Sequence, residues 1–334
     1  MSRRPSRWHG ILPVFKSVGP TSHDVVDMAR KALRERRIGH TGTLDPMAEG
    51  LLLLCVGQAT RLQQYLMRWD KTYRGVIELG YATNTYDAEG EPMEPRGEPP
   101  DLDRSALGRL EQLFSGTIEQ VPPPYSAKKI AGKKLYELAR TGQTTPVDPK
   151  TVSVRSLRLE HSSPSALTVE ATTSTGFYVR TLAHDVGVEI GCGGHLRHLT
   201  RTAIGPYSAT DALPQRTLEE ADDPQDIIAG PAWIPIEEAN LPFPDISLNS
   251  AAMERFVHGQ EVIVFRSGSE SIQSGSEVVV HGPSKRLIGI GMVQAVLARG
   301  RTVNLRPITV LQAAVPADAT PPENDPTVAR EETS

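Results

Sequence analysis

The spacing of apolar residues predicts a helix followed by a buried strand near the start of the chain. Residues 51–56, Leu-Leu-Leu-Leu-Cys-Val, form a continuous apolar run that ends at Gly57. Such a run is typical of a strand buried on both faces, although the pattern alone leaves a buried helix open. Thr21 or Ser22 is suited to cap a helix just upstream. The apolar residues of that helix recur at helical spacing: Val25, Val26, Ala29 and Leu33.

The rest of the chain predicts further helices and strands. Helices are expected over 58–66, through Phe114, up to Ile190 and over 251–257. Strands are expected at 71–82, 151–159, 167–173, 261–265, 277–280, 287–297 and 302–310. Residues 84–103 are acidic and rich in Pro and Gly, so a loop or hairpin is expected there. A length of 334 residues favours two domains over one.

Composition narrows the class of protein. Hydrophobic residues make up 38% and charged residues 23%, which suits a soluble globular protein. Cys55 and Cys192 have no Cys-X-X-Cys spacing, so neither a disulfide framework nor a zinc site is indicated. The basic residues 1–7 lack the apolar stretch of a signal peptide, and no apolar run is long enough to cross a bilayer. We expect a cytoplasmic protein with no membrane partner.

Charge is distributed unevenly along the chain. The formal net charge is −4, which by itself argues against a nucleic-acid partner. Residues 1–75, however, hold thirteen Lys or Arg and six Asp or Glu, whereas residues 211–245 hold one Arg and nine acids. This asymmetry allows a basic face on an acidic chain, although an ordinary mixed surface fits the charges equally well.

The segment between the predicted helix and strand holds a candidate for chemistry. From Gly39 to Gly50 it reads Gly-His-Thr-Gly-Thr-Leu-Asp-Pro-Met-Ala-Glu-Gly. Glycines allow tight turns, and Pro46 disfavours helix at Asp45, so we expect Asp45 on a loop beside a core strand. A carboxylate in that place is suited to catalysis. An Asx turn with no catalytic role is the alternative.

Three motifs resemble those of pseudouridine synthases of the TruB type, in the order of that family. The first, Gly-X-X-Gly-X-Leu-Asp-Pro, places the family's essential aspartate at Asp45. The second, Pro-Pro-X-Tyr-Ser-Ala-X-Lys-X-X-Gly-X-X-Leu-Tyr, matches residues 122–136, and the third, Tyr-X-Arg, matches Tyr178 and Arg180. The resemblance implies that the chain isomerises uridine 55 in the T loop of tRNA.

The resemblance also implies roles for single residues. The expected catalytic residues are Asp45, Arg180 placed against it, and Tyr73, which stacks on the target base from a Lys-X-Tyr element. Arg61 stands where the family usually has lysine, which keeps the charge but changes the phosphate geometry. The expected substrate-binding residues are His40 by the extruded nucleotide, Tyr178 next to the base, Leu199 against the pocket, Arg61 and Arg201 near phosphate, and Lys128 on a basic rim.

The implied reaction breaks the bond from C1′ to N1 of uridine and joins C1′ to C5 without redox change, so neither metal nor cofactor is expected. The carboxylate can add to the ring, trap positive character at C1′ or abstract a sugar proton, and the sequence leaves these routes open. Arg180 is expected to oppose the rise in pKa that burial would give Asp45.

Two other functions stay open at this point. A non-catalytic RNA-binding or tRNA-folding protein would need the basic faces but not Asp45. A glycosidase would normally need a second acid opposite the first, for which Glu49 is nearest in sequence.

The resemblance implies an α+β fold with a large mixed, mainly antiparallel sheet and a small β-rich PUA-like RNA-binding domain. The PUA-like match rests on Arg286-Leu-Ile-Gly-Ile-Gly-Met. The expected partner is the T arm of tRNA, and the expected form is a monomer. The expected divisions are a catalytic domain at 9–210, a connecting segment at 211–245, the PUA-like domain at 246–312 and a disordered tail at 313–334.

Overall fold

The computed structural model describes residues 5–124, 129–130, 133–134, 148–265, 272–297 and 302–311. The chain forms two compact units, the first ending at Phe243 and the second beginning at Pro244. The predictions for Lys128 and for the tail at 313–334 lie outside the described residues. Within the described residues, no helix has both the length and the apolar composition to span a membrane.

The first unit combines a large sheet with short helices. Its strands are β1 Gly10–Lys16, β2 Ile38–His40, β3 Ala48–Val56, β4 Lys71–Leu79, β5 Gly116–Gln120, β6 Lys129–Ile130, β7 Lys133–Lys134, β8 Lys150–Ser163, β9 Ala166–Thr173, β10 Gly194–Ile204, β11 Tyr207–Ser208, β12 Leu213–Pro214 and β13 Ile234–Pro235. Its described α-helices are α1 Ser22–Ala32, α2 Gln63–Leu66, α3 Arg104–Leu113, α4 Val179–Ile190, α5 Gln215–Glu220 and α6 Pro224–Ile228. Its described 3₁₀ helices span Gly57–Arg61, Ala209–Asp211 and Ile236–Glu238.

The large sheet is mixed and mainly antiparallel, so the predicted α+β fold is confirmed. Its main path runs β12, β1, β3, β10, β4, β9, β8, β5, and three short strands join at its sides. Within this path only β1 with β12 and β3 with β10 pair in parallel. The two-stranded pair of β6 and β7 is separate.

Helix α1 begins where the sequence predicts, because Thr21 and Asp24 form a capping box. The Thr21 hydroxyl accepts from Asp24 N, and the Asp24 carboxylate accepts from Thr21 N at 2.8 Å. The first residue of the helix is also tied to the Asp45 loop: the Ser22 hydroxyl accepts from Leu44 N at 2.8 Å and donates to Leu44 O. The capped end of α1 thus holds the residue that precedes Asp45.

The predicted strand over 51–56 is confirmed as part of β3, and all six of these residues are fully buried. Full burial of each leucine contributes about 2 kcal/mol to stability. Gly50, at the start of this run, has φ +108, and a Cβ there would lie 2.3 Å from Arg201 O on β10. Only glycine therefore lets β3 approach β10 so closely beside the Asp45 loop.

Residues 211–243, expected as part of a connecting segment, pack into the first unit. Strands β12 and β13 both pair with β1. Leu218 of α5 and Ile227 of α6 are buried in one apolar cluster with α1. These side chains extend the core of the first unit to Phe243.

The described part of the second unit is a five-stranded sheet with one helix. Its elements are β14 Asp245–Ser247, α7 Ser250–Val257, β15 Val262–Phe265, β16 Glu277–His281, β17 Leu287–Leu297 and β18 Thr302–Val310. The strands run in the order β14, β16, β17, β18, β15, and Phe256 of α7 is fully buried in their core. The C-terminal strands thus lie where the apolar runs predict them, while the PUA-like assignment stays a prediction.

Candidate active site

A cavity of about 370 Å³ opens in the first unit beside the Asp45 loop. Six of the residues predicted to form the site line it: Asp45, Tyr73, Tyr178, Arg180, Leu199 and Arg201. They come from the loop before β3, from β4, from the start of α4 and from β10, which are distant in sequence. The other lining residues are Thr41, Gly42, Thr43, Leu44, Met67, Lys71, Lys150, Ser174, Thr175, Gly176, Phe177 and Val179.

Asp45 lies on a loop between β2 and β3, as predicted, and faces a buried arginine. The Nε atom of Arg180 lies 2.9 Å from Oδ2 of Asp45. The Arg180 side chain is only 7% exposed, whereas that of Asp45 is 38% exposed. The arginine is therefore fixed inside the protein while the carboxylate remains accessible from the cavity.

A second carboxylate, Asp87, holds the other end of Arg180. The Nη1 atom of Arg180 donates to Asp87 Oδ2 at 3.2 Å and to the Thr85 carbonyl at 3.1 Å. Asp87 is itself 5% exposed and accepts from the Thr85 hydroxyl at 2.6 Å. Asp87 was not among the predicted site residues, because it lies in the acidic, Pro- and Gly-rich stretch for which a loop or hairpin was expected.

Opposing effects set the charge of Asp45. Burial raises the pKa of the Asp45 carboxyl above its ordinary value, the nearby Arg180 guanidinium lowers it, Asp87 raises it, and Lys16 lowers it. The net direction is upward, so Arg180 offsets part of the cost of burial, as predicted, without cancelling it.

Lys16 is a buried cation near Asp45 that was not among the predicted site residues. It is the last residue of β1 and is fully buried. Its Nζ donates to the Ser17 carbonyl at 2.9 Å and to the Pro46 carbonyl at 3.5 Å. Burial lowers the Lys16 pKa to about 8, and Asp45 opposes that shift. A lysine at the end of an apolar run, Ile-Leu-Pro-Val-Phe-Lys, is the signal that could have found it.

Arg201 holds the backbone of the Asp45 loop. Its Nε donates to Leu51 O at 2.7 Å, and its two terminal nitrogens donate to Gly42 O at 3.0 Å and Thr43 O at 3.4 Å. The side chain is 1% exposed, and burial lowers the Arg201 pKa. Arg201 was expected to contact phosphate. Its guanidinium is instead buried and bound to carbonyls of the Asp45 loop and of β3.

Tyr73 and Leu199 give the cavity an apolar wall. Tyr73 of β4 pairs across the sheet with Arg201 of β10, and the nearby phenol opposes the fall that burial causes in the Arg201 pKa. Leu199 lies two residues before Arg201, so both side chains are on the same face of β10, and Leu199 is 7% exposed. An aromatic and an aliphatic side chain thus border the space in front of Asp45.

Tyr178 precedes α4 and is fixed by a buried glutamine. Gln120 of β5 accepts from Tyr178 N at 2.7 Å and donates to Tyr178 O at 3.0 Å. This reciprocal pair sets the position of the first turn of α4, which carries Arg180. The two residues are 58 positions apart in the chain, so the local sequence pattern could not predict this contact.

Three other named residues lie away from the cavity lining. His40 is the last residue of β2, where its Nδ1 accepts from Gly42 N at 3.3 Å, and burial lowers its pKa. Arg61 is exposed at the end of a 3₁₀ helix. Glu49 accepts from the Thr200 hydroxyl at 3.1 Å and does not line the cavity, so the structure gives a glycosidase no second acid at that residue.

Within the described part of the chain, no group of three His, Cys, Asp or Glu residues is placed to hold a metal ion.

Two family models cover this site and define the class of the protein. The model described as TruB family pseudouridylate synthase (N terminal domain) matches residues 30–179. The model described as tRNA pseudouridylate synthase B C-terminal domain matches residues 180–226. The protein is thus a pseudouridylate synthase, an isomerase that converts uridine to pseudouridine.

Similar curated proteins narrow the class to one family. A tRNA pseudouridine synthase B of Burkholderia lata is 40% identical over 296 residues, which cover 88% of this chain and 90% of that protein. One from Cupriavidus metallidurans is 41% identical over 302 residues, covering 89% and 95%. The chain belongs to the TruB family. Membership in a family of enzymes favours the catalytic interpretation over the binding-only alternative.

Solved structures with the same fold are more distant in sequence. A chain in the structure of an H/ACA RNP bound to a substrate RNA containing 2′-deoxyuridine matches with a TM-score of 0.69 and 21% identity, covering 91% of this chain and 85% of that one. A chain of the archaeal box H/ACA sRNP Nop10-Cbf5 complex matches with a TM-score of 0.67 and 22% identity, covering 92% and 88%. At this identity the likeness shows the fold alone.

Proposed function

We propose that this enzyme converts uridine 55 in the T loop of tRNA to pseudouridine, with Asp45 as the catalytic carboxylate and without a cofactor. The observation that carries the proposal is the ion pair at the cavity, in which a buried Arg180 holds Asp45 at 2.9 Å. Support for tRNA comes from the name of the relatives that cover most of the chain. Support for the T loop comes from the three motifs.

The chemistry that Asp45 must perform balances without any other reactant. The C1′ to N1 bond of uridine breaks, the uracil turns, C5 bonds to C1′, C5 loses a proton and N1 gains one. Asp45 in its ionised form can serve as nucleophile or base, and Arg180 favours that form. The three routes named above all require the same carboxylate, so the proposal does not depend on which is taken.

The cavity also supports extrusion of the target base. Leaving the base stack costs a few kcal/mol, and stacking on an aromatic ring recovers about 1–3 kcal/mol. Tyr73 is the proposed platform, Leu199 bounds the pocket, and Tyr178 lies next to the base. Tyr73 lies in the middle of the sheet, paired with Arg201 on one side and Ala171 on the other, so its backbone is fixed before the base arrives.

The remaining contacts extend the proposal beyond the cavity. We propose that the T arm binds along the basic N-terminal region, with Arg61 near phosphate, Lys128 on a basic rim and His40 by the extruded nucleotide. The proposed working form is a cytoplasmic monomer.

The proposal is tested by mapping pseudouridine in unmodified tRNA transcripts after incubation with the protein. A transcript with uridine 55 and a matched transcript with cytidine 55 are compared, each with and without EDTA, and free uracil is measured in parallel. We expect pseudouridine at position 55 alone, no free uracil and no effect of EDTA. Modification at another uridine would contradict the target, and free uracil would indicate a glycosidase.

A further inference from the structure

Next to the Arg180 ion pairs, two aromatic rings stack face to face. The ring of Tyr86 lies over that of His184, with centroids 3.9 Å apart and planes inclined by 7°. Tyr86 belongs to the turn that carries Asp87, and His184 belongs to α4. None of the chemistry proposed for Asp45 uses either ring.

The two neighbours of Tyr86 bind the same nitrogen. Thr85 O and Asp87 Oδ2 both accept from Nη1 of Arg180, at 3.1 Å and 3.2 Å. Arg180 and His184 are four residues apart on α4, so they lie on the same face of the helix, one turn apart. The turn therefore contacts α4 at two points, one polar and one aromatic.

The stack of Tyr86 on His184 is a second contact between the turn and α4, beside the hydrogen bonds of Arg180. Backbone hydrogen bonds fix the turn along β10, since Leu196 N donates to Tyr86 O and Ala88 N donates to Leu196 O, both at 3.0 Å. Helix α4 also packs on β10, so the sheet sets the general position of the turn relative to the helix. The stacked rings add a second side-chain contact between turn and helix to the hydrogen bonds of Arg180.

The backbone at Tyr86 supports a specific role for its ring. Tyr86 has φ +66, in the left-handed region that an aromatic residue adopts at a conformational cost. The ring contact with His184 offsets that cost. His184 Nδ1 is buried, and no hydrogen-bond partner for it is found among the described residues, so the ring stacking is the contact that explains its placement.

We infer that Tyr86 and His184 are positioning residues. Their stack holds the Asp87 turn against α4 so that Asp87 and Thr85 keep the Arg180 guanidinium directed at Asp45. The inference rests on the proposed function of Asp45. Its effect is on the catalytic step, because neither ring lines the cavity that would bind the base.

The test removes the ring without adding backbone strain. Tyr86→Gly accepts a positive φ and deletes the side chain, whereas Tyr86→Phe keeps a ring to stack. We expect Tyr86→Gly to lower the single-turnover rate of pseudouridine formation by about 10- to 100-fold, with the Kd for tRNA within about twofold of wild type. Tyr86→Phe should restore most of the rate. Tyr81→Ala is the matched control, since Tyr81 contacts His195 and Arg96 instead, and should leave the rate unchanged.

A double-mutant cycle separates this role from general destabilisation. If Tyr86 acts through Asp87, Tyr86→Gly should cost much less in an Asp87→Asn background than in wild type. Equal costs in both backgrounds, or a wild-type rate for Tyr86→Gly, would overturn the inference. His184→Leu, which keeps the side-chain bulk but removes the aromatic ring, replaces Tyr86→Gly if that variant does not fold.

A readout independent of activity distinguishes failure of this inference from failure of the proposed function. The ¹⁵N resonance of Arg180 Nε should shift in Tyr86→Gly and return toward wild type in Tyr86→Phe. If the wild type makes no pseudouridine at the T loop but this pattern appears, the positioning role stands and the proposed target fails. An unmoved resonance in Tyr86→Gly contradicts the positioning role whatever the activity.

Discussion

Arg180 and Arg201 are two buried arginines that line the same cavity, yet they bind different groups. Arg180 lies between two carboxylates, with Asp45 at 2.9 Å and Asp87 at 3.2 Å. Arg201 donates instead to three backbone carbonyls of the Asp45 loop and the adjoining strand. Both guanidiniums are almost fully removed from water.

The two arginines therefore have different effects: Arg180 acts on the charge of the carboxylates, and Arg201 acts on the backbone geometry of the Asp45 loop. A guanidinium paired with carboxylates changes the balance between ionised and neutral forms of those acids. A guanidinium bound to carbonyls fixes the backbone in one geometry. The charge of Asp45 depends mainly on burial and on other groups, namely Arg180, Asp87 and Lys16. We therefore expect loss of Arg180 to act first on the reaction, and loss of Arg201 to act first on the folded loop.

The largest expected effect is that of Arg180→Ala on the rate. Removing the cation next to Asp45 leaves the partly desolvated carboxyl with weaker stabilisation of its charge, so we expect the single-turnover rate to fall by roughly 10²- to 10³-fold. The Kd for tRNA should change far less. Arg158→Ala, at an exposed arginine on β8, is the matched control. An unchanged turnover rate in Arg180→Ala would remove Arg180 from the site.

Arg201→Ala should lower stability, because three carbonyls lose a charged donor. We expect the free energy of unfolding in urea to fall by about 3 kcal/mol. Arg201→Lys should recover only part of this, since an ammonium cannot reproduce the planar fork of a guanidinium. Wild-type stability combined with a weaker salt dependence of tRNA binding would instead favour the phosphate contact expected from the sequence.

A smaller effect should distinguish the two carboxylates at Arg180. The negative charge of Asp87 raises the Asp45 pKa, so Asp87→Asn should lower it. Because the ionised form of Asp45 is required, the acid limb of the pH–rate profile should move to lower pH even though the maximum rate falls. An acid limb that stays in place or moves to higher pH would contradict this electrostatic coupling.

Sequence patterns predicted the parts of the site that depend on local chemistry. Gly42 and Pro46 indicated a loop at Asp45, the apolar run indicated β3, and Thr21 indicated the start of α1. In each case the signal lies within a few residues of the feature it predicts. The pairing of Asp45 with Arg180 came from the family resemblance, because nothing local to either residue indicates it.

The missed residues are those whose role depends on distant partners. Asp87 is 93 residues from Arg180, and the composition around it suggested a loop or hairpin rather than a packed element. Lys16 looks like the polar end of a strand until the Pro46 carbonyl and Asp45 are placed around it. Arg201 was expected near phosphate from the family resemblance, and the sequence around it does not distinguish an arginine that binds RNA from one that binds its own backbone.

The most direct test of the account is a comparison of Asp45→Asn with wild type on unmodified tRNA, with the single-turnover rate and the Kd measured on the same preparations. Asparagine keeps the size of the side chain and removes its charge. We predict that Asp45→Asn binds tRNA with nearly wild-type affinity and forms no detectable pseudouridine. Pseudouridine formation by Asp45→Asn at a rate near that of wild type would contradict the central claim that the Asp45 carboxylate carries the reaction.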